Sequence, residues 1–388
     1  MNGPVNDSMK TRIIFDGEMT RSVKGMSPNG VKRISKTFDH QIQSGLHPGA
    51  QLVVILNGQI VLDRWGGFTD ASKKHRVSPR TRFLTLSIAK SLTSMCVFKL
   101  IEQKNINLQA PVAEYWPEFG NQGKEEITIK QVLLHQSGIP RRGLVNQILH
   151  ISDWDRISEN LASQRLQYQP GSITAYHALN FGFILGEVIR RVSGMDVDEY
   201  LHKEFLGDLG LVDTSLKNVD FGHNSYAQLS SGTLDHRFIA WLFNLSSFRK
   251  ALSPASSLHS TARELAVFFQ MLLNDGLYAG IKFLQPESVR LATSLGFEGF
   301  DQSLRRTTRW GYGFYLGGDH KLNPALPDGM GKGSSSDTFG HYGQRSSMAL
   351  ADKKTGLLVV FLCNRFLSFY AYKNRLREIS DAVWDALE

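Results

Sequence analysis

Cysteine is scarce in this chain. Two occur in 388 residues, Cys96 and Cys363, each inside an apolar run. That is too few for a disulfide framework and points to two buried thiols. Metal-ligand spacing is missing as well: neither His-Glu-x-x-His nor Cys-x-x-Cys occurs, so no metal is expected. No glycine-rich phosphate loop stands out, and no cofactor is expected. The Gly-x-Ser-x-Gly elbow of the α/β-hydrolases is absent, which argues against that fold. Apolar runs such as residues 238–243 are far too short for a bilayer span, which takes about 20 residues. Residues 1–8 hold no apolar stretch behind a basic start. The reading therefore expects no export signal, no membrane partner and a cytoplasmic location.

What is present describes a folded protein of one large domain or two lobes. Hydrophobic residues make up 41% and charged residues 21%, a composition that buries a sizeable core. The net charge is +8, yet the basic residues are scattered, with only short pairs such as Arg141-Arg142, Arg190-Arg191 and Lys353-Lys354. No nucleic-acid partner is expected from such a distribution. Oligomeric state is not legible.

Ser27-Pro28 reads as an N-cap with proline at the first helical position, followed by Val31, Ile34, Phe38 and Ile42 at helical spacing, with Gly45 to close. Two β-rich runs, residues 51–56 and 59–62, flank Asn57-Gly58, a strong hairpin signal. From about residue 84 the pattern turns helical, with Leu92, Cys96, Lys99 and Leu100 on one face of an expected amphipathic helix. Residues 127–135 read as a short helix, and Ile184, Leu185, Val188, Ile189 and Val192 as a stripe ending at Gly194. Thr261-Ala262-Arg263-Glu264 spells a capping box. Residues 346–351 and 357–363 return to strand, a last amphipathic helix carries Tyr372, Leu376, Ile379, Val383 and Leu387, and residues 323–336 read as a loop.

The simplest packing is an α+β fold. One antiparallel sheet closes from both chain ends (1–80 and 255–388) with flanking helices, and a mostly helical lobe (81–254) is inserted. The active site is expected at the interface of the two lobes.

Ser87-Ile88-Ala89-Lys90 carries the chemistry. Residues three apart share a helix face, so the lysine amine can reach the serine hydroxyl. To serve as a base near pH 7 the amine must be neutral, a shift of roughly 3 units or about 4 kcal/mol, which burial can supply. Ser247-Phe248-Arg249-Lys250 repeats the spacing, but only Ser87 follows an extended apolar entry and opens a long helix.

Phe83-Leu84-Thr85-Leu86-Ser87-Ile88-Ala89-Lys90 resembles the nucleophile motif of the serine β-lactamase and penicillin-binding-protein superfamily. The likeness is closest to class C β-lactamases and the related family VIII carboxylesterases. It extends over residues 30–385 and includes Leu134-His135-Gln136-Ser137-Gly138-Ile139-Pro140 and Pro170-Gly171-Ser172-Ile173-Thr174-Ala175-Tyr176-His177-Ala178. The resemblance implies Ser87 as nucleophile, with Lys90 and Tyr176 as its proton partners. It implies His341 and Gly343, in Phe339-Gly340-His341-Tyr342-Gly343, as the esterase-like variant of the third motif. The literal Lys354-Thr355-Gly356 is set aside because it falls at a hairpin turn. An oxyanion hole from the N–H groups of Ser87 and Gln344 follows, as do His177 and Arg345 as candidate substrate contacts.

Two departures matter. Ala178 stands where many relatives have an asparagine that positions a substrate amide, and Gln344-Arg345-Ser346-Ser347 replaces a glycine-rich run. The expected function is therefore a serine carboxylesterase acting on a small-molecule acyl substrate, with acyl transfer or thioester cleavage as variants. A β-lactamase or D-amino-acid peptidase is the alternative, and a catalytically silent binding scaffold a third. Residues 238–248, rich in aromatics, are expected either to border the pocket or to pack in the core.

Overall fold

Both ends of the chain feed one sheet. The computed structural model describes residues 12–140, 144–217, 225–234, 236–318 and 330–388. The expectations for residues 1–8, for Arg141-Arg142 and for residues 323–329 of the loop at 323–336 lie outside them. Nine strands build the sheet: Met19–Thr20 (β1), Gly49–Leu56 (β2), Gln59–Gly67 (β3), Phe297–Asp301 (β4), Arg306–Trp310 (β5), Tyr315–Leu316 (β6), Thr338–Tyr342 (β7), Met348–Asp352 (β8) and Leu357–Cys363 (β9). Their order is β1-β3-β2-β9-β8-β7-β6-β5-β4, and every neighbouring pair is antiparallel. The junction is β2 with β9, in register from Leu56↔Leu357 to Ala50↔Cys363.

Strands β2 and β9 are buried along their whole length. With both faces covered, they read in sequence as apolar runs with no alternation, broken only by Gln51, whose side chain bonds Ser78 O, Thr81 O and the Ala262 N–H. Asn57 and Gly58 both take positive φ, 50° and 76°, the backbone a tight β2–β3 hairpin needs.

Six longer helices matter for the site: Pro28–Gln43 (α1), Ala89–Glu102 (α2), Asn180–Ser193 (α3), Arg237–Asn244 (α4), Ala262–Leu273 (α5) and Phe369–Trp384 (α6). Ser27 caps α1 by accepting from the Gly30 N–H, and the helix buries Val31, Ile34 and Phe38. Full burial of a side chain such as Phe38 contributes about 2–3 kcal/mol. α1 packs on β3 and α6, and α5 on β2, β8 and β9. Gly194 ends α3 in a left-handed conformation, as its position after the apolar stripe implied.

Four local expectations are corrected. Helix α2 is not amphipathic but buried on nearly all sides, hydroxyl residues included. The Ser91 hydroxyl donates to Gly313 O at 3.2 Å and the Thr93 hydroxyl to Pro254 O at 2.7 Å, so polar positions face neighbouring loops instead of water. At α5 the Thr261 side chain accepts from the Glu264 N–H. The Glu264 carboxylate, however, turns to the Asp213 N–H and the Thr214 hydroxyl, so the box is half formed. Within residues 127–135 only Ile129–Leu133 is helical, started by a complete capping box of Thr128 and Gln131. The last helix ends at Trp384, leaving Leu387 beyond it in a bridge with Met26.

Candidate active site

The short strand Arg82–Leu84 pairs with Tyr226–Ala227 on one side and His259–Ser260 on the other. It leads into Thr85, whose N–H and hydroxyl both reach Leu258 O, at 2.8 and 3.1 Å. Leu86 then adopts φ +52°, a left-handed conformation costing a non-glycine residue about 1–3 kcal/mol. This strained, tethered turn, Leu86–Ile88, places Ser87 at the entrance of α2 and on the wall of a cleft of about 390 Å³.

Lys90 follows one turn later and is fully buried. Its Nζ lies 2.8 Å from Ala178 O, 3.1 Å from Ala255 O and 3.3 Å from Ser87 Oγ. No carboxylate is among these partners. Burial drives its pKa well below the ordinary 10.5, because a desolvated ammonium is costly. A neutral amine has two hydrogens and one lone pair. In that form the two carbonyls can take both hydrogens, which frees the lone pair for the Ser87 hydroxyl.

The Tyr176 ring centre is 4.8 Å from that amine, and the ring stacks on Trp310 at 5.6 Å and 9°. Burial raises the phenol pKa well above its usual value, and Tyr315 adds to this, while the nearby Ser87 hydroxyl opposes it. Burial thus favours the neutral phenol of Tyr176, beside the Ser87 hydroxyl. The backbone around it is pinned by the 135–138 segment, where the Ala175 N–H donates to His135 O at 3.0 Å and the Gly171 N–H to Gln136 O at 2.9 Å. His135 itself packs 4.8 Å beneath the Tyr176 ring.

The end of β7 forms the opposite wall, with His341, Tyr342, Gly343, Gln344 and Arg345 all lining the cleft. A Cβ on Gly343 would sit 2.6 Å from Thr85 O, so only glycine lets this strand end lie against the turn that carries Ser87. Gln344 and Ser87 both line the cleft. His341 is buried and its Nδ1 donates to Tyr342 O at 2.9 Å, leaving Nε2 with no partner among the described residues. Burial, with Lys90 adding to it, holds its pKa down at about 3, so it is a neutral acceptor.

His177 does not line the cleft. It is fully buried, with Nε2 2.6 Å from Ser137 Oγ and Nδ1 2.6 Å from Ala175 O. Both ring nitrogens are used to fix the Tyr176 loop, which corrects its expectation as a substrate contact. The two look-alike motifs also lie elsewhere. Ser247 and Lys250 are both exposed on the short helix Ser246–Lys250. Thr355 donates to Asp352 at 2.9 Å in the β8–β9 turn, where Gly356 meets Asn57.

Helix α4 contributes Phe243 to the cleft, and Phe248 packs on that ring at 4.9 Å. The other face of α4 points outward, with Phe238 65% and Trp241 54% exposed. Only part of the aromatic segment thus borders the pocket. The β4–β6 region supplies residues that sequence reasoning did not single out: Ser303, Leu304, Arg306 and Tyr315 in the wall, and Asp301 behind Tyr176. No local signal marks them, because they reach the site only through sheet pairing.

A family model described as Beta-lactamase matches residues 34–382. The chain is similar to Esterase/beta-lactamase LipL of Mycobacterium tuberculosis, 29% identical over 350 residues, covering 82% of this chain and 78% of that protein. Among solved structures it is similar to a penicillin-binding protein homologue from Caulobacter crescentus, at 25% identity and TM-score 0.81, over 95% of this chain and 100% of that one. It is also similar to a family VIII carboxylesterase, at 26% identity and TM-score 0.80, again over 95% and 100%.

Proposed function

The chain belongs to the beta-lactamase family, and from that premise we propose that it is a serine hydrolase cleaving carboxylic esters through an acyl-enzyme on Ser87. The fold is the β-lactamase/transpeptidase-like one. The proposed cleft lies between a sheet lobe (1–80 and 255–388) and a helical lobe (81–254).

Ser87 Oγ attacks the ester carbonyl as Lys90 Nζ takes its proton. The tetrahedral oxyanion is met by the N–H groups of Ser87 and Gln344. The proton passes through the Tyr176 phenol to the leaving alkoxide, and the C–O bond breaks. Water, activated by the same amine, then adds to the acyl-enzyme and releases the acid. An alcohol in place of water gives transfer, and a thiolate leaving group gives thioester cleavage. Base catalysis of this kind contributes about 10²–10⁴ in rate, and each oxyanion donor about 10²–10³.

One observation carries the reading: a buried amine whose Nζ lies 2.8 Å from Ala178 O, 3.1 Å from Ala255 O and 3.3 Å from Ser87 Oγ, with no carboxylate among these partners. Ester over lactam is favoured because Ala178 borders the cleft with a methyl group and offers no side-chain amide to hold a substrate amide.

The test sets a chromogenic short-chain ester beside a chromogenic β-lactam, with Ser87→Ala as control. Ester turnover lost in the variant supports the proposal, and turnover of the lactam alone replaces it. No turnover, with no fluorophosphonate label on Ser87, reduces the protein to a binding scaffold.

A further inference from the structure

The cleft is cationic. Two guanidinium groups line it, Arg306 and Arg345, and no aspartate or glutamate does among the described residues. We propose that the end of the cleft around Tyr315 is an anion subsite in which Arg306 binds a carboxylate carried by the substrate, so that the preferred esters bear a free carboxylate. This rests on the hydrolase reading and names its substrate class.

Most inward-facing arginines have a carboxylate, and Arg375, which has none among the described residues, donates instead to the carbonyls of Arg365, Arg345 and Ser346. Arg64 has Asp39, Arg82 has Asp213, Arg263 has Asp63 and Arg309 has Glu298. Arg306 has no carboxylate among the described residues. Its Nη2 donates to the Tyr315 hydroxyl at a long 3.3 Å, and the Tyr315 and Phe369 ring centres each lie 6.0 Å away. Its Nε is buried with no hydrogen-bond partner.

The carboxylate directly across the β4–β5 pair, Asp301, is turned away. It accepts from the backbone N–H groups of Tyr176, Ser303 and Leu304. Arg345 is the weaker candidate, since its Nη1 already has His236 Nδ1 at 3.5 Å. His341, held neutral, supplies no charge.

A guanidinium partly withdrawn from water without a counter-ion is costly. Its planar fork can take a carboxylate through two parallel hydrogen bonds. Tyr315 stands between Arg306 and the reacting end, its ring 5.1 Å from that of His341. A substrate spanning the cleft can therefore place its ester at Ser87 and its carboxylate at Arg306.

The test uses two matched ester pairs. 4-Nitrophenyl hydrogen glutarate against 4-nitrophenyl pentanoate puts the charge in the acyl part, and 4-acetoxybenzoate against 4-acetoxytoluene puts it in the leaving group. In at least one pair the wild type favours the charged ester. Arg306→Met lowers the charged-to-neutral ratio of kcat/KM by about 10- to 100-fold, with Arg306→Lys intermediate. A ratio that stays close to wild type in both pairs overturns the subsite while leaving the hydrolase intact. If no ester is turned over and Ser87 is not labelled, the hydrolase reading has failed. The subsite is then decided by calorimetric titration with glutarate and 4-acetamidobenzoate: binding lost in Arg306→Met supports it, and no binding to the wild type overturns it.

Discussion

Both carboxylate oxygens of Asp301 lie 3.1 Å from the backbone nitrogen of Tyr176. The same carboxylate accepts from the Ser303 and Leu304 N–H groups at 2.9 Å, and the neighbouring Gln302 N–H donates to Thr174 O at 3.0 Å. The β4–β5 hairpin thus clamps the segment that carries the phenol. Asp301 touches no reacting atom. It acts by holding the backbone from which Tyr176 reaches Ser87.

Asp301→Ala should therefore lower kcat about 100-fold, the scale seen when a catalytic group is misplaced by about 1 Å, with a smaller change in KM. The informative comparison is a double-mutant cycle with Tyr176→Phe. If Asp301 works only through the phenol, its removal costs much less in the phenylalanine background. Equal losses in both backgrounds would mark a general structural role.

Lys90 makes a prediction about stability. Neutral in the fold and protonated in the unfolded chain, it obliges unfolding to take up a proton at any pH between its lowered folded value and the ordinary 10.5. The unfolded state binds more protons, so stability rises with pH across that window. Relative to Lys90→Met, the wild type should gain about 1.4 kcal/mol per pH unit there and nothing above it. The variant also strands Ala178 O and Ala255 O, but that cost does not depend on pH. Denaturant titrations over a pH series measure the slope, and a flat difference would mean that the folded lysine is charged.

In the proposed mechanism the same amine sets the acid limb of the rate profile. Raising the pH deprotonates Lys90, so kcat/KM should rise through one ionisation and stay level until the raised phenol of Tyr176 ionises. His341, held at about 3 by burial with Lys90 adding to it, does not titrate in this range. His341→Gln should change the height of the profile while leaving the midpoint of the acid limb within about 0.3 units. A limb that vanishes with the histidine would reassign the base.

The parts of this site that could be read from sequence are those built by local geometry. Ser87 and Lys90 are three apart on a helix, Ser27 caps α1 within one turn, and Asn57-Gly58 makes its own hairpin. The phenol was reached only through family likeness, since a tyrosine ahead of a helix has no local signature. Asp301, Arg306 and Tyr315 were silent because they enter by sheet register. Asp301 meets Tyr176 across 125 residues of chain, and β4 is a short strand with a central glycine and an alternating exposed face. Helix α2 misled for a different reason. Its serines and threonines satisfy carbonyls of packed loops, and a polar position with a buried partner looks the same in sequence as one facing water.

Gly343 tests the oxyanion hole separately from the proton partners. An alanine methyl there would lie 2.6 Å from Thr85 O, a backbone atom held by the Leu86 turn and unable to swing aside. The strand end must retreat, taking the Gln344 N–H away from the carbonyl bound at Ser87. Gly343→Ala should cost about 10²–10³ in kcat, the loss expected when one oxyanion donor is removed. Lys90 and Tyr176 should keep their places, because Ala178 O and Ala255 O hold the amine and Asp301 holds the Tyr176 backbone. The midpoint of the acid limb should then be that of the wild type, while the acylation rate in single-turnover mass spectrometry falls. A Gly343→Ala enzyme that acylates at the wild-type rate would remove Gln344 from the mechanism and leave the Ser87 N–H as its one assigned donor.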